Sequence, residues 1–216
     1  MSKVAVVDYG LGNLRSVAHG LEHCGGEVSL VSEAAAIRDA HRLVLPGVGA
    51  FENGMAGLRE RGLVEALLDV AASGRPMMGI CLGMQMLLDR SHEFGLFDGL
   101  GLIPGEVVPV PPVDAQGRPH RIPIIGWYEL SPPDDGPAFA ADGILAGCRP
   151  GRSCYFVHSF MARTIDPADV AAVIDYNGVA VPAAVQRGKV IGCQFHPEKS
   201  GPVGLDILRR FLAMEA

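Results

Sequence analysis

The amino-acid sequence predicts an α/β fold in which helices flank a mainly parallel central sheet, with an added antiparallel portion. Three observations support this prediction. The first half of the chain alternates short apolar runs with amphipathic stretches, residues 95–150 are rich in proline and glycine, and residues 154–195 contain further apolar runs. Short apolar runs that alternate with helical periodicity are typical of parallel strands joined by crossover helices.

The first half of the chain supplies the predicted parallel strands. The short apolar runs lie at residues 4–7, 28–31, 43–45 and 77–80. Helical spacing predicts a helix through residues 14–24, a weaker one through Ile37, one carrying Leu58, Leu67, Leu68 and Ala71, and one over residues 82–88. Crossover helices of this kind connect strands that run parallel in one sheet.

The second half supplies the antiparallel portion. Pro111-Pro112 and Pro132-Pro133 mark turns, so loops and short antiparallel strands are expected between residues 95 and 150. Apolar runs then predict strands at residues 154–160, 170–176, 181–186 and 190–195, with a turn at 187–189 and a final helix over 205–212. A chain of 216 residues is within the range of one compact α/β unit, so we predict a single domain over residues 1–216.

The composition excludes several classes of protein. The chain is 49% hydrophobic and 19% charged, which predicts a dense core and no extended disorder. The formal net charge is -6 and basic residues are not clustered, so nucleic acid is not an expected partner. No apolar run approaches the roughly 18 residues of a membrane span, and Met1-Ser2-Lys3 leads directly into a strand pattern. We therefore expect a soluble cytoplasmic protein without a membrane partner.

The five cysteines do not form a pattern that predicts disulfides or zinc. They are odd in number, widely scattered and free of any Cys-x-x-Cys pair. Most are expected to behave as small buried hydrophobic residues.

One cysteine, Cys81, has a context that predicts chemistry. It lies in Gly79-Ile80-Cys81-Leu82-Gly83, between an apolar strand and an apolar helix. Flanking glycines of this kind allow the sharp, strained turn of a nucleophile elbow, which exposes the nucleophile above the sheet. The start of the helix is expected to stabilise a thiolate, and the backbone N–H of Leu82 to bind an oxyanion. The alternative is a structural cysteine buried in a glycine-rich turn.

A base and an orienting carboxylate follow later in the chain. His196 and Glu198 come at the end of an apolar run, where alternate residues of a strand face the same side. A thiol nucleophile needs such a base, and the base needs a group to orient it. His158 is the one close rival among the other histidines, but no carboxylate follows it along the strand. This context favours Cys81 as a nucleophile.

A second glycine-rich segment follows the third predicted strand. Residues 45–50 read Leu-Pro-Gly-Val-Gly-Ala and lie at the carboxyl edge of the predicted sheet, where open α/β sheets bind ligands. We expect this loop to supply a second oxyanion donor. The alternative is an ordinary Pro-Gly turn.

Five segments together resemble a known family. These are residues 7–16, 45–51, 79–85, 155–160 and 194–200. They resemble the class I glutamine amidotransferases, and among these the glutaminase subunits that serve histidine biosynthesis. The resemblance spans nearly the whole chain. It implies a flavodoxin-like class I glutamine amidotransferase fold, with no metal or organic cofactor in this subunit.

The resemblance also implies a role for each matching residue. Cys81 is expected to attack the side-chain amide of L-glutamine, His196 to transfer protons and Glu198 to orient His196. Ammonia leaves, and water hydrolyses the γ-glutamyl thioester to glutamate. The substrate-binding residues that the matching motifs imply are Gly47, Val48, Gly49, Leu82, Gln85, Glu93, Ser159 and Phe160.

The family further implies a partner, a cyclase subunit with a (β/α)₈ barrel that forms a heterodimer and receives the ammonia through an internal tunnel. Asn13, Trp127 and Lys199 resemble residues at that docking face. Two of them have simpler alternatives, because Asn13 is placed to cap the following helix and Lys199 is compatible with a solvated lysine. Glutaminase activity is expected to be low in the isolated chain and to rise when the partner binds its own substrate.

One segment departs from the family pattern. The chain has Pro-Ile-Ile-Gly-Trp-Tyr at residues 123–128, where the family usually carries Pro-His-x-Gly-Trp-Asn. The changed segment is expected near the partner interface. It leaves open a related amidotransferase that supplies ammonia for sugar amination in surface-polysaccharide synthesis. A non-catalytic binding or regulatory module with the same fold is the remaining alternative.

Overall fold

The computed structural model describes residues 2–133, 139–141 and 143–215. The strands are β1 (Ser2–Val7), β2 (Gly26–Val31), β3 (Leu43–Gly47), β4 (Met77–Cys81), β5 (Leu88–Ser91), β6 (Phe97–Asp98), β7 (Ile103–Pro109), β8 (Ile124–Leu130), β9 (Arg152–His158), β10 (Phe160–Thr164), β11 (Val170–Tyr176), β12 (Val179–Arg187) and β13 (Val190–Cys193). The α-helices are α1 (Leu14–His23), α2 (Ala34–Arg38), α3 (Phe51–Glu60), α4 (Val64–Ala72), α5 (Leu82–Met86) and α6 (Gly201–Ala213).

A seven-stranded sheet forms the centre of the fold, in the order β11-β12-β13-β4-β3-β1-β2. The five strands from β13 to β2 run parallel, whereas β12 pairs antiparallel with β13 and β11 antiparallel with β12. The parallel strands follow the order of flavodoxin-like sheets. The predicted mainly parallel sheet with an antiparallel portion is confirmed.

Two smaller sheets accompany the central sheet, and their strands pair antiparallel except that β5 runs parallel to β7. A four-stranded sheet has the order β10-β7-β5-β6, and a two-stranded ribbon pairs β8 with β9. Of these strands, β6, β7 and β8 lie within the proline- and glycine-rich stretch, which otherwise forms mainly loops in its described part, as predicted. Residues 134–138 and 142 of that stretch lie outside the described residues.

Helices cover both faces of the central sheet. Along β1, Val4 and Val6 belong to one buried cluster, whereas Ala5 and Val7 belong to the other, as the alternation of side chains along a strand requires. Buried residues of α1 and α6 join the first cluster, and those of α2, α3 and α4 join the second. The strands β3 and β4 are therefore packed between two cores. Within the described residues, no helix is long and apolar enough to span a membrane.

Two predicted helices have different bounds in the structure. The single helix expected through Leu58 and Ala71 is two helices, because Gly62 adopts a φ of 63° between α3 and α4. A residue in this left-handed region ends a helix. The helix expected over residues 82–88 ends at Met86, because Leu88 already pairs with Ile103 in the four-stranded sheet.

The predicted strands near the carboxyl terminus also need correction. The run at residues 154–160 divides at Ser159 into β9 and β10, which belong to different sheets. The run at 190–195 ends at Cys193, and a 3-10 turn follows at Pro197–Lys199. His196 and Glu198 therefore do not share a face through strand alternation. The final helix begins at Gly201 instead of Leu205.

Candidate active site

Cys81 occupies a sharp turn between β4 and α5. Its φ of 55° and ψ of -110° are strained for a residue other than glycine. A Cβ at Gly79 would lie 2.5 Å from the carbonyl oxygen of Gly83, and a Cβ at Gly83 would lie 1.8 Å from that of Leu45. Neither position has room for a side chain. The turn thus has the geometry that the Gly-x-Cys-x-Gly pattern predicts, and the physical reason for both glycines is close backbone packing.

His196 and Glu198 form a buried pair. Nδ1 of His196 lies 2.9 Å from Oε1 of Glu198, and the two side chains are only 4% and 1% exposed. The 3-10 turn brings them together. Ser200 fixes this turn, since its hydroxyl donates to the His196 carbonyl at 2.6 Å and accepts from the backbone N–H of Tyr155 at 3.0 Å.

The surroundings of His196 favour its protonated form. Burial alone lowers the pKa of the imidazole, but interactions with Cys81 and Glu198 outweigh burial and raise the pKa to about 9. At neutral pH the ring therefore carries a proton that it can donate to a leaving group.

Cys81 and His196 open onto a common cavity of about 280 Å³. Its lining residues are Val48, Gly49, Cys81, Leu82, Gln85, Glu93, Val157, Ser159, Phe160 and His196. The predicted substrate-binding residues thus lie together, with one difference. Gly47 lies behind the wall, where a Cβ would come within 2.7 Å of the Tyr9 hydroxyl oxygen.

Two polar side chains of this cavity have defined contacts. Nε2 of Gln85 donates to the carbonyl of Phe160 at 3.2 Å. The carboxylate of Glu93 accepts from the backbone N–H of Phe51 at 2.6 Å, which satisfies one open donor at the start of α3. Glu93 thereby connects its own loop to the end of the glycine-rich segment 45–50. A carboxylate and an amide on one wall suit the charged head of an amino acid.

A larger cavity elsewhere lacks reactive groups. It has a volume of about 740 Å³. The described residues that line it are Pro132, Pro133, Phe139, Ala140, Gly143, Pro167, Ala168, Val170, Ala171, Gln186 and Gly188. None of them is ionisable or nucleophilic. We therefore place the candidate active site in the smaller cavity.

Comparison with known proteins identifies the family to which this fold belongs. The family model of class-I glutamine amidotransferases matches residues 5–214. The chain belongs to the class-I glutamine amidotransferase family. It is 50% identical over 212 residues to imidazole glycerol phosphate synthase subunit HisH 1 of Legionella pneumophila strain Lens, covering 98% of this chain and 99% of the relative. It is 43% identical over 216 residues to subunit HisH of Geobacter sulfurreducens, with both chains covered in full.

Solved structures show the same amidotransferase fold. A chain in the PurLQS structure from Thermotoga maritima has a TM-score of 0.72 at 24% identity, with 97% of each chain covered. The glutaminase domain of Trypanosoma brucei CTPS has a TM-score of 0.64 at 16% identity, with 100% of this chain and 96% of that chain covered. At these identities the likeness concerns the fold alone.

The three residues predicted at the partner interface of this amidotransferase lie near the surface. Trp127 is 56% exposed on β8, with its ring centroid 6.0 Å from that of Tyr155 in an edge contact. Lys199 is exposed at the end of the 3-10 turn that carries Glu198. Asn13 precedes α1 but makes no side-chain capping hydrogen bond, so the capping alternative is wrong for its side chain.

Sequence reasoning missed two buried polar residues of the site. The hydroxyl of Tyr9 donates to the carbonyl of Pro46 at 2.8 Å and so fixes the start of the glycine-rich segment. Nε2 of Gln194 lies 3.9 Å from Sγ of Cys81. Both residues fall within segments that resemble the amidotransferase family. Only the tertiary structure brings Gln194 next to Cys81 and Tyr9 next to Gly47.

The remaining cysteines are poor nucleophiles. All five cysteines are free thiols, and Cys154 and Cys193 are fully buried. Burial raises the pKa of Cys154 to about 12 and also raises that of Cys193. Cys24 and Cys148 are partly exposed, and burial raises their pKa values too. Across the described residues, no group of three or more His, Cys, Asp or Glu side chains is arranged to hold a metal ion.

Proposed function

We propose that this amidotransferase is the glutaminase subunit of an imidazole glycerol phosphate synthase and hydrolyses L-glutamine to glutamate and ammonia. One observation carries the proposal: Cys81 and the hydrogen-bonded His196–Glu198 pair meet on a cavity that also presents Gln85 and Glu93. The near full-length relatives named as subunits of that synthase support the assignment.

The first half of the reaction forms a thioester. The Cys81 thiolate attacks the side-chain amide carbon of glutamine, and the carbon–nitrogen bond breaks as protonated His196 gives its proton to the departing nitrogen. Ammonia leaves, and the γ-glutamyl group remains on the sulfur. Glu198 keeps the imidazole in position and compensates its charge.

The second half restores the enzyme. Water attacks the thioester carbon while His196 takes a proton from it, and collapse of the tetrahedral intermediate releases glutamate and the thiolate. We propose that the backbone N–H of Leu82 and one from Val48 or Gly49 bind the oxyanion of both intermediates.

The charged head of glutamine has its own proposed contacts. Glu93 and Gln85 would hold its ammonium group, while Ser159 and Phe160 border the same wall. Gly47 supports this wall from behind, because its missing side chain leaves room for Tyr9 and Leu82. These assignments are residue-level proposals within the glutaminase function.

The ammonia passes to a partner subunit. We propose a cyclase with a (β/α)₈ barrel as that partner, in a heterodimer that works in the cytoplasm. An apolar surface next to the cavity suits the contact: Ile125, Trp127 and Val157 are 47%, 56% and 38% exposed on the paired strands β8 and β9. Val157 also lines the cavity, so this surface adjoins the site of ammonia release.

The departure at residues 123–128 does not require a different partner. The two replaced positions are Ile124, which is fully buried, and Tyr128, whose ring packs edge-on against Phe156 and Tyr176. The matching residue Trp127 lies on the other, exposed face of β8. The replacements therefore change the packing beneath the ribbon and leave the surface that would meet the cyclase.

Glutamate release from glutamine tests the proposal, measured with and without a histidine-pathway cyclase and its nucleotide substrate. We expect slow turnover by the isolated chain and strong stimulation by the loaded partner. The reason lies in the glycine-rich segment 45–50, which is proposed to donate to the oxyanion. Gly49 has a φ of 97° and open space around it, so the backbone of this segment can rotate there when the partner binds. Measurable but unstimulated turnover would point to a different synthase, and no turnover under any condition would favour a non-catalytic module.

Replacing the nucleophile tests the chemistry. We expect Cys81→Ser to lower glutamate release with the loaded partner at least about 10³-fold, because the serine hydroxyl is a far weaker nucleophile at neutral pH. Cys148→Ser is the matched control, since Cys148 is a partly exposed thiol outside the cavity. Unaltered turnover in a folded Cys81→Ser enzyme would remove Cys81 from the mechanism.

A further inference from the structure

A buried carboxamide lies beside the nucleophile. Gln194 follows β13, is fully buried, and its backbone N–H donates to the carbonyl of Ala183 at 2.9 Å. Its side chain reaches the sulfur of Cys81, with Nε2 3.9 Å from Sγ. Neither catalytic proton transfer nor the proposed contacts with glutamine use this group. A buried amide of this kind needs a reason for its position, because burying polar atoms without partners is costly.

The orientation of this carboxamide follows from its neighbours. The carbonyl of Phe160 can only accept hydrogen bonds, so the side-chain atom of Gln85 that lies 3.2 Å from it must be the donor Nε2. The same Nε2 lies 3.0 Å from the side chain of Gln194, which must turn its acceptor Oε1 toward Gln85. The amide N–H of Gln194 then has to point at Cys81.

The Phe160 carbonyl is itself held in place. Nδ1 of the buried His158 lies 2.8 Å from it and must be a donor, since the carbonyl offers only acceptor sites. His158 and Gln85 thus both donate to one oxygen. Because this oxygen is fixed and accepts only, it determines which way the side-chain amides of Gln85 and Gln194 are oriented.

We propose that Gln194 is a positioning residue whose side-chain N–H, oriented by Gln85 and the Phe160 carbonyl, holds Sγ of Cys81 and stabilises its thiolate form. This inference rests on the proposed glutaminase function. It gives Gln85 a second task, since the group proposed to contact the head of glutamine also keeps the donor aimed at the nucleophile. Hydrogen bonds to charged groups are stronger than those between neutral groups, so the contact strengthens when the thiolate forms.

Alkylation of Cys81 by iodoacetamide, followed as a function of pH by mass spectrometry of the Cys81 peptide, tests the proposal without requiring glutamine turnover. Gln194→Met keeps a similar side-chain length but removes the donor. We expect the midpoint pH of alkylation to rise by about 0.5 to 1 unit, which corresponds to the net contribution of an ordinary hydrogen bond and suits a long contact to sulfur. With the loaded partner, we expect kcat to fall about three- to tenfold and KM to change less than about twofold.

Two further variants separate positioning from packing. Gln194→Glu keeps the shape and the acceptor toward Gln85 but turns a carboxylate oxygen toward Sγ, so its midpoint should rise above that of Gln194→Met. Gln186→Met is the control, because Gln186 is a glutamine of the neighbouring strand β12 that bonds to the backbone of Ile144 and Gly188 and does not line the active-site cavity. We expect it to leave the midpoint unchanged.

A folded Gln194→Met protein with the wild-type midpoint overturns the inference. If that variant does not fold, Gln85→Met decides, since loss of its donor should raise the midpoint in the same direction by a smaller amount; an unchanged midpoint there also overturns the inference. A midpoint shift in a protein that never hydrolyses glutamine supports the positioning role and rejects the proposed function. Partner-stimulated hydrolysis by the wild type, together with unchanged alkylation midpoints in the variants, supports the proposed function and rejects the positioning role.

Discussion

At the scale of single residues, His158 shows how burial decides the role of a histidine. The sequence makes it the rival of His196 for the role of base, yet the pKa values of the two imidazoles are shifted in opposite directions. Burial lowers the pKa of His158 to about 4, with an opposing effect from its bond to the Phe160 carbonyl and a further lowering by His196. Nε2 of His158 is buried and has no hydrogen-bond partner among the described residues. His158 is therefore a neutral structural donor.

This difference predicts an acid-sensitive contribution to stability. The folded-state pKa lies below the ordinary value of 6.5, so His158 must become charged on unfolding in acid and its stabilisation is lost as the pH falls from 6.5 toward 4. His158→Gln retains a donor for Phe160 but cannot titrate. Between pH 7.5 and pH 5 we expect the wild type to lose about 2 kcal/mol more unfolding free energy than this variant.

Urea unfolding at a series of pH values measures this difference. His120→Gln serves as the control, since His120 is a partly buried histidine that also bonds to a backbone carbonyl, that of Pro111. A His158→Gln protein whose stability falls as steeply in acid as that of the wild type would contradict the buried neutral state of His158.

At the scale of elements, the position of Cys81 depends on how closely α5 approaches β3. The helix has only five residues, so its first-turn N–H groups matter more than a long helix dipole. Gly83 lets the helix backbone lie against the carbonyl of Leu45, and Gly54 leaves space for Leu82 and Met86 from the side of α3. The strained turn at Cys81 is thus stabilised by packing on both sides.

This packing predicts that Gly83→Ala lowers the free energy of unfolding far more than a substitution at a glycine whose only constraint is a positive φ. A new Cβ would lie 1.8 Å from the Leu45 carbonyl oxygen, so backbone must move. We expect a loss of at least about 3 kcal/mol of unfolding free energy, or failure to fold. Gly62→Ala, at a φ of 63° with open space around it, should cost only about 1 to 2 kcal/mol. Denaturant unfolding compares the two, and equal losses would refute the close approach.

At the scale of the whole molecule, the cavity and the exposed apolar ribbon adjoin one another. Val157 belongs to both, while Ile125 and Trp127 extend the apolar surface away from the opening. Contiguous exposed apolar residues of this kind mark interaction sites. The proposed subunit therefore carries its reaction centre next to the surface where a partner would receive the product.

This arrangement predicts that Trp127→Ala weakens partner binding without destabilising the chain. Exposed tryptophans at interfaces often contribute about 2 kcal/mol or more, so we expect the Kd for the cyclase to rise at least about 30-fold. Leu30→Ala is the matched control, because Leu30 is 53% exposed on β2 at the edge of the sheet. Titration calorimetry measures both, and equal affinities for wild type and Trp127→Ala would move the interface elsewhere.

The fold and much of the site were predictable because their signals are local. The parallel strands and their crossover helices followed from short apolar runs and helical spacing, and the elbow followed from two glycines around Cys81. The helix and strand ends were not predictable in this way. Gly62 ends a helix inside an apolar periodic stretch, because its backbone adopts a positive φ. Ser159 divides one apolar run between two sheets, because strand pairing outweighs the local sequence pattern.

By itself, the sequence determined the mainly parallel sheet, the sharp turn at Cys81 and the likeness to the amidotransferases, since periodicity, turn residues and motifs are local features of the chain. Only the tertiary structure decided how the site is assembled. The His196–Glu198 pair depends on a 3-10 turn fixed by Ser200, and the donor beside Cys81 depends on Gln85 and the Phe160 carbonyl from a distant strand. Contacts between residues far apart in sequence leave no periodic signal, because they form only when separate elements pack together.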